Sequence, residues 1–250
     1  MTWEQLIAVA AIGAVVGLLG GVFGKGGSAI ATPLLSLVGI PPISAVASPL
    51  PATIPSTLSA SYAYWRERLM DRRVVLWSAA IGVPATAAGA YATRWIDGRI
   101  LVTVTELIVI GLGLRFLLRP GDPHEVAVIP GAYRTRLALV AGTVGVLSGL
   151  LANSGGFLLA PLFIVVLRLS IKQSFASSLA VAAVLAVPGT IVHAALGHID
   201  WSVVAVFGAT SIPLSYLGAR IALRTHPVRL ERAYGAGLTL LGSALLLASI

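Results

Sequence analysis

Seven long stretches of this chain contain no lysine, arginine, aspartate or glutamate: residues 5–24, 26–65, 74–93, 137–167, 173–199, 201–219 and 233–250. A helix needs about 20 apolar residues to cross the roughly 30 Å hydrocarbon core of a bilayer. Runs of this length, repeated along the chain, leave little polar surface for a water-soluble fold. Charged residues make up 10% of the 250, against about 25% in soluble domains. The mean hydropathy is +0.95. These features predict an all-α polytopic membrane protein, because backbone in lipid must satisfy its own hydrogen bonds. They exclude a disordered chain and a soluble enzyme. The absence of cysteine removes disulfides, thiolate metal sites and cysteine nucleophiles.

The formal charge of +8 comes from 17 basic and 9 acidic residues. A basic chain can bind nucleic acid, but here the arginines are spread over short loops between apolar runs. Topogenic charge explains them, so the expected partner is the lipid bilayer and not nucleic acid. The start, Met1-Thr2-Trp3-Glu4-Gln5, lacks the basic region of a signal peptide. The first apolar run is therefore expected to be retained.

The sequence repeats itself. A shift of 128 places Gly17 on Gly145, Gly21 on Gly149, Gly27 on Gly155 and Pro33 on Pro161. One extra residue then makes the shift 129, and Ala47-Ser48 falls on Ala176-Ser177, Asp71 on Asp200, Pro84 on Pro213 and Gly89 on Gly218. Glycine, proline and aspartate fix turns and bends, so their coincidence marks a duplicated unit. The reading is a first repeat over 1–118, a cytoplasmic linker over 119–134 and a second repeat over 135–250.

Each repeat reads as five apolar segments: 5–23, 28–38, 44–64, 74–93 and 100–118, then 137–151, 156–167, 174–195, 201–219 and 230–249. An odd number inverts the second repeat relative to the first. With loop 65–73 inside the cell, 14 of the 17 basic residues fall inside and only Arg94 and Arg99 outside, Lys25 standing apart. The positive-inside rule favours that orientation, with both termini outside. The expectation is two inverted-topology repeats with 8 to 10 hydrophobic segments, some of them short broken or re-entrant half helices.

Segments 28–38 and 156–167 are too short to span. Each follows a polar or glycine-rich break: Gly24-Lys25-Gly26-Gly27-Ser28 and Ala152-Asn153-Ser154-Gly155-Gly156. Paired interruptions in inverted halves point to a secondary-transporter site. A half helix that starts at such a break presents unpaired N–H groups and the positive end of its dipole, which suits a small anion. The candidate substrate-binding residues are Lys25, Gly26, Gly27 and Ser28 from one half and Asn153, Ser154, Gly155 and Gly156 from the other. Ser48 and Ser177 rank second, since they lie early in the next segment of each half. Two bland readings stand beside this one: Lys25 snorkels to the interface, and Ser28, Asn153 and Ser154 simply cap helices. Glu106 is the acidic residue deep in an apolar segment, open to a proton-relay or a structural role. His193 and His198 fall near the outer end of a span and make a poor metal site without a carboxylate.

Gly17-Leu-Leu-Gly-Gly-Val-Phe-Gly-Lys-Gly-Gly-Ser-Ala-Ile-Ala-Thr-Pro33, its second copy Ser148-Gly-Leu-Leu-Ala-Asn-Ser-Gly-Gly-Phe-Leu-Leu-Ala-Pro161, and Ala176-Ser-Ser-Leu179 resemble the sulfite exporter TauE/SafE family. The resemblance covers nearly the whole chain. It implies transport of sulfur-containing anions, such as sulfite and organosulfonates, across the cytoplasmic membrane of bacteria or archaea by a multi-pass protein. The motif departs from the usual Gly-x-Gly-Gly-Gly at Ser28 and at Asn153-Ser154, and Lys25 is an unusual insert.

The expected function is a secondary transporter, an exporter working by alternating access around the two breaks, with no cofactor and no metal. A Gly-x-x-x-x-Gly-Lys-Ser/Thr nucleotide motif is absent. The alternative is a membrane-embedded assembly factor or an intramembrane enzyme. The enzyme reading lacks paired carboxylates, a Gly-x-Ser-x-Gly elbow or a His/Asp cluster.

Overall fold

The computed structural model describes residues 1–24, 28–92, 98–118, 130–150 and 156–249, which fold as helices with no strand among them. Eleven helices follow in order: α1 (Trp3–Phe23), α2 (Ser28–Leu37), α3 (Pro42–Ala47), α4 (Pro49–Arg66), α5 (Arg72–Ala92), α6 (Gly98–Leu118), α7 (Pro130–Leu150), α8 (Gly156–Val165), α9 (Ile171–Ala195), α10 (Trp201–Arg224) and α11 (Pro227–Ser249). Three of them, α1, α9 and α10, are long and apolar enough to cross a membrane. The chain is an all-α polytopic membrane protein.

The helices extend beyond the charge-free runs. α10 continues through Arg220 to Arg224, and α5 begins at Arg72. Arginine permits this because its aliphatic stem lies along apolar surface while the guanidinium reaches water. α7 begins at Pro130, inside the stretch read as linker; proline suits a first helical position, where its missing N–H goes unused. The third segment of the first half is split. Ser48 separates α3 from α4 and prolines stand at 49 and 51, whereas the second half carries one helix, α9, over the equivalent positions.

α2 and α8 have 10 residues each. At about 1.5 Å per residue they reach roughly 15 Å, half of a bilayer core.

Contact registers fix the helix directions. Gly13 faces Phe207, Gly17 faces Ser211 and Gly21 faces Ser215, so α1 runs parallel to α10. Ala52 meets Gly208, and Ser56 Oγ donates to the Ser211 carbonyl at 3.2 Å, so α4 is parallel to α10. Leu50 meets Gly189, and Ser61 Oγ donates to the Ala176 carbonyl at 3.4 Å, so α4 and α9 cross antiparallel. Asp71 meets Ser177 and Gly82 meets Leu185, so α5 is parallel to α9. Ile81 meets Gly142 and Gly89 meets Val146, so α7 follows α5. It follows that α1 and α7, the first helices of the two halves, point in opposite directions.

The local geometry repeats as well. Asp71 Oδ1 accepts from the N–H groups of Arg73 and Val74 at 2.8 and 3.2 Å. Asp200 Oδ1 accepts from those of Ser202 and Val203 at 2.9 and 3.4 Å. After α4 the N–H of Leu69 reaches the Tyr64 carbonyl, and after α9 the N–H of His198 reaches the His193 carbonyl. Both turns need a left-handed residue, Arg68 at φ 57° in one and Gly197 at φ 70° in the other. Gly39 at φ 80° and Arg168 at φ 56° form a second such pair. An L residue in that conformation costs about 1–2 kcal/mol that glycine avoids. The arginine stands in each case in a loop that the charge pattern assigns to the cytoplasm. The extra residue of the second half sits in the Gly39/Arg168 turn: Ile40 N–H bonds Leu35, five residues back, whereas Leu169 N–H bonds Phe163, six back.

Candidate functional site

Lys25, Gly26, Gly27, Asn153, Ser154 and Gly155 lie outside the described residues; Ser28 and Gly156 are the first residues of α2 and α8. The Glu106 side chain also lies outside them. The flanks of the breaks are described, and they lie at different levels.

Before the first break, Gly24 takes a left-handed φ of 64° and closes α1 through its N–H to Gly20. A side chain at Gly24 would run into Phe175, and its carbonyl accepts from Ser178 Oγ at 2.6 Å. Just above, the buried Tyr64 donates its hydroxyl to the Gly21 carbonyl at 3.3 Å. Tyr234 fills the neighbouring space, its ring 5.0 Å from Phe175 and 5.8 Å from both Phe23 and Phe116. Packed aromatic rings plug the bundle beside Gly24.

Before the second break, Ser148 and Gly149 line a cleft of about 280 Å³. Its other walls are Leu50 from α4, Thr86 and Ala87 from α5, and Leu185, Pro188, Gly189, Val192 and His193 from α9. Phe175 and Gly189, which mark the two flanks on α9, are about 20 Å apart along the helix at a rise of about 1.5 Å per residue. A water occupies about 30 Å³, so the cleft has room for about nine waters or one small organic ion. Drug-sized ligands need roughly 300–1,000 Å³.

The repeat relates the two ends. The shift of 129 carries Tyr64 onto His193 and Ala87 onto Tyr216. Where the sealed end holds Tyr64 and the partly buried Tyr216, the other end holds an imidazole and a methyl. The cleft is the space that these smaller side chains leave open. Its polar groups are Thr86, whose Oγ1 donates to the Gly82 carbonyl at 2.8 Å, Ser148, and His193. The His193 Nδ1 lies 3.2 Å from the Nδ1 of His198. No group of three or more His, Cys, Asp or Glu suited to a metal ion occurs among the described residues.

Ser48 and Ser177 are buried and sit at opposite ends of the antiparallel α4–α9 pair. Ser48 Oγ accepts from the Asp200 N–H at 3.0 Å, and Ser177 Oγ accepts from the Asp71 N–H at 3.3 Å. Each repeat thus pins the cap of a helix in the other. The sequence left these serines open between substrate contact and bonds to backbone or packing between helices, and the contacts found are backbone bonds between the halves. It gave no role to Tyr64 or Thr86, and of His193 only a place near the outer end of a span. The signal for the last was present: the repeat shift aligns a tyrosine with a histidine in the same turn.

Residues 9–245 match the family model described as sulfite exporter TauE/SafE. The chain is 27% identical to the probable membrane transporter protein YjnA of Bacillus subtilis, over 90% of this chain and 93% of that one. It is 29% identical to a probable membrane transporter protein of Xylella fastidiosa strain 9a5c, over 94% and 92%. No solved structure matches it.

Proposed function

The chain belongs to the sulfite exporter TauE/SafE family, and on that premise we propose that it is a secondary transporter of small sulfur-containing anions, sulfite or organosulfonates. In this reading it is a multi-pass protein of a bacterial or archaeal cytoplasmic membrane that exports its substrate and catalyses no reaction. Its units are inverted repeats over 1–118 and 135–250, joined by a cytoplasmic linker. The observation that carries the reading is the asymmetry of two repeat-related ends, one sealed by Tyr64 against Gly21 and the other open as a cleft. Two halves that present the same site in plugged and open forms are what alternating access requires. Exchange of the two forms would move access from one side of the membrane to the other.

The substrate site in this proposal comprises Lys25, Gly26, Gly27 and Ser28 and, from the other half, Asn153, Ser154, Gly155 and Gly156. The N–H groups that open α2 and α8 would face the oxyanion. Ser48 and Ser177 hold the two halves in register and bear on the site through that contact.

Purified protein in liposomes, loaded with sulfite, thiosulfate, sulfate, sulfoacetate or taurine with and without a pH gradient, tests the proposal. At least one sulfur anion is expected to move, and Lys25→Ala or Asn153→Ala should cut the flux at least tenfold at equal incorporation. Thr225→Ala, at an exposed helix end, should leave it unchanged. No flux of any anion overturns the transport reading; full flux in both variants overturns the site.

A further inference from the structure

The cleft has a feature that its sealed counterpart lacks. His193, which lines the cleft, faces His198 in the adjoining turn, Nδ1 to Nδ1 at 3.2 Å, with ring centroids 5.4 Å apart. The equivalent residues of the first half are Tyr64 and Leu69, so the repeat itself does not call for the pair. The turn after α9 holds it in place, through the 3.0 Å bond from the His198 N–H to the His193 carbonyl and the left-handed Gly197.

We propose that His193 and His198 form a proton-gated capture site at the mouth of the cleft, which admits a small organic sulfonate or oxyanion when the pair carries a proton. This rests on the anion-transport reading and adds a regulation to it. The chemistry follows from the contact. Two Nδ1 atoms at hydrogen-bond distance require one to donate and the other to accept. The donor ring keeps a free Nε2, so a first proton adds there and the bond survives as an imidazolium–imidazole pair. A second proton must break it, because the accepting Nδ1 has no other lone pair to offer. One positive charge at this mouth acts on an anion across walls made by Leu50, Leu185, Pro188 and Val192. Apolar walls lower the local dielectric below that of bulk water and strengthen the attraction.

Other ionisable groups do not compete for this role among the described residues facing the cleft. α4 offers Leu50, α5 Thr86 and Ala87, and α7 Ser148 and Gly149, none of which titrates in the range of histidine. Tyr91 lies one turn beyond Ala87 on α5. The nearest acid along the chain, Asp200, is committed to the Ser202 hydroxyl and to N–H groups of α10, and it also feels the amino terminus.

The absence of native cysteine makes a direct test practical. Ala87→Cys places a thiol on the wall of the cleft. Its labelling rate is measured with 2-sulfonatoethyl methanethiosulfonate, itself a small sulfonate anion, and with the neutral methyl reagent. The ratio of the two rates cancels the thiolate fraction. That ratio is expected to rise about fivefold from pH 7.5 to pH 5.5, the effect of one charge gained at short range. His193→Gln in the same background should flatten it, and His193→Arg should hold it high at both values. His198→Gln serves as a second variant if His193→Gln does not fold, and it should shift the midpoint of the rise.

A flat ratio in Ala87→Cys, no labelling by either reagent, a rise that survives in folded His193→Gln, or an unmoved midpoint in His198→Gln overturns the proposal. Liposome flux separates this failure from failure of the transport reading. Flux with a flat labelling ratio removes the gate alone, whereas a rising ratio without flux of any anion removes the transporter and leaves the capture site.

Discussion

Tyr234 illustrates what a single side chain costs this fold. Its ring completes the aromatic seal, but its hydroxyl is buried with no hydrogen-bond partner among the described residues. An unpaired buried hydroxyl costs about 1–3 kcal/mol. Tyr234→Phe keeps the ring contacts and is expected to stabilise the protein by about 1 kcal/mol, read as a higher unfolding temperature in detergent. A lower temperature would mean that the hydroxyl is engaged. Asp200 shows the opposite case, a polar group well used. The Ser202 hydroxyl, more than the N–H groups of Val203 and Ser202, holds its carboxyl below the ordinary carboxylate range against the opposing effect of burial. A depressed folded pKa adds stability that is present above the unfolded value of about 3.9 and lost as pH falls through the folded value. Asp200→Asn keeps a capping oxygen but not the charge. Below about pH 4 its unfolding temperature should fall less steeply with pH than that of the parent; parallel slopes would refute the assignment.

At the scale of the helix, contact is set by how closely backbones approach. A methyl at Gly21 would run into the Ser215 carbonyl of α10, whereas at Gly111 in α6 nothing lies within 4 Å. Small residues permit this approach where lipid supplies no hydrophobic drive between helices. Gly21→Ala is expected to cost at least about 2 kcal/mol and also to disturb the carbonyl that Tyr64 bonds. Gly111→Ala should be neutral or stabilise by up to about 1 kcal/mol. Equal unfolding temperatures for the two variants would argue against the α1–α10 register. Most helix positions were legible in the sequence because backbone in lipid must satisfy its own hydrogen bonds and so turns helical, and glycines and prolines at matched positions mark the bends. The split at Ser48 was less legible, since prolines at 49, 51 and 55 are compatible with a continuous helix with its first turn at Pro49. The site was legible only in part. Serine in an apolar segment does not reveal whether it meets a solute or, like Ser48 and Ser177, a backbone N–H from the other half. The cleft depends on the volume of four side chains at two related places, and no single-segment pattern carries that.

For the whole molecule, the decisive question is which side of the membrane the cleft faces. It opens toward the end of α9 and the His198–Asp200 turn, while Tyr64 and the aromatic seal lie toward the Arg66–Arg73 turn. The two turns are repeat-equivalent, yet one carries Arg66, Arg68, Arg72 and Arg73 and the other, 194–200, no lysine or arginine. Retaining four arginines near a membrane surface is favourable on the cytoplasmic side and costly to translocate. The expected orientation therefore turns the cleft outward in this conformation and the aromatic seal toward the cytoplasm. Under the proposed export, this state would follow release of substrate, and the cleft would close over His193 before Tyr64 leaves Gly21. Single cysteines at Arg72 and Gly197 test the orientation in intact cells with a membrane-impermeant maleimide. Gly197→Cys should label from outside, and Arg72→Cys only after the membrane is permeabilised. The reverse pattern would turn the cleft to the cytoplasm and make the same structure a loading state, with the histidine pair sensing internal rather than external pH. Labelling of both without permeabilisation would mean that the chain inserts in two orientations and that its arginines do not set the topology.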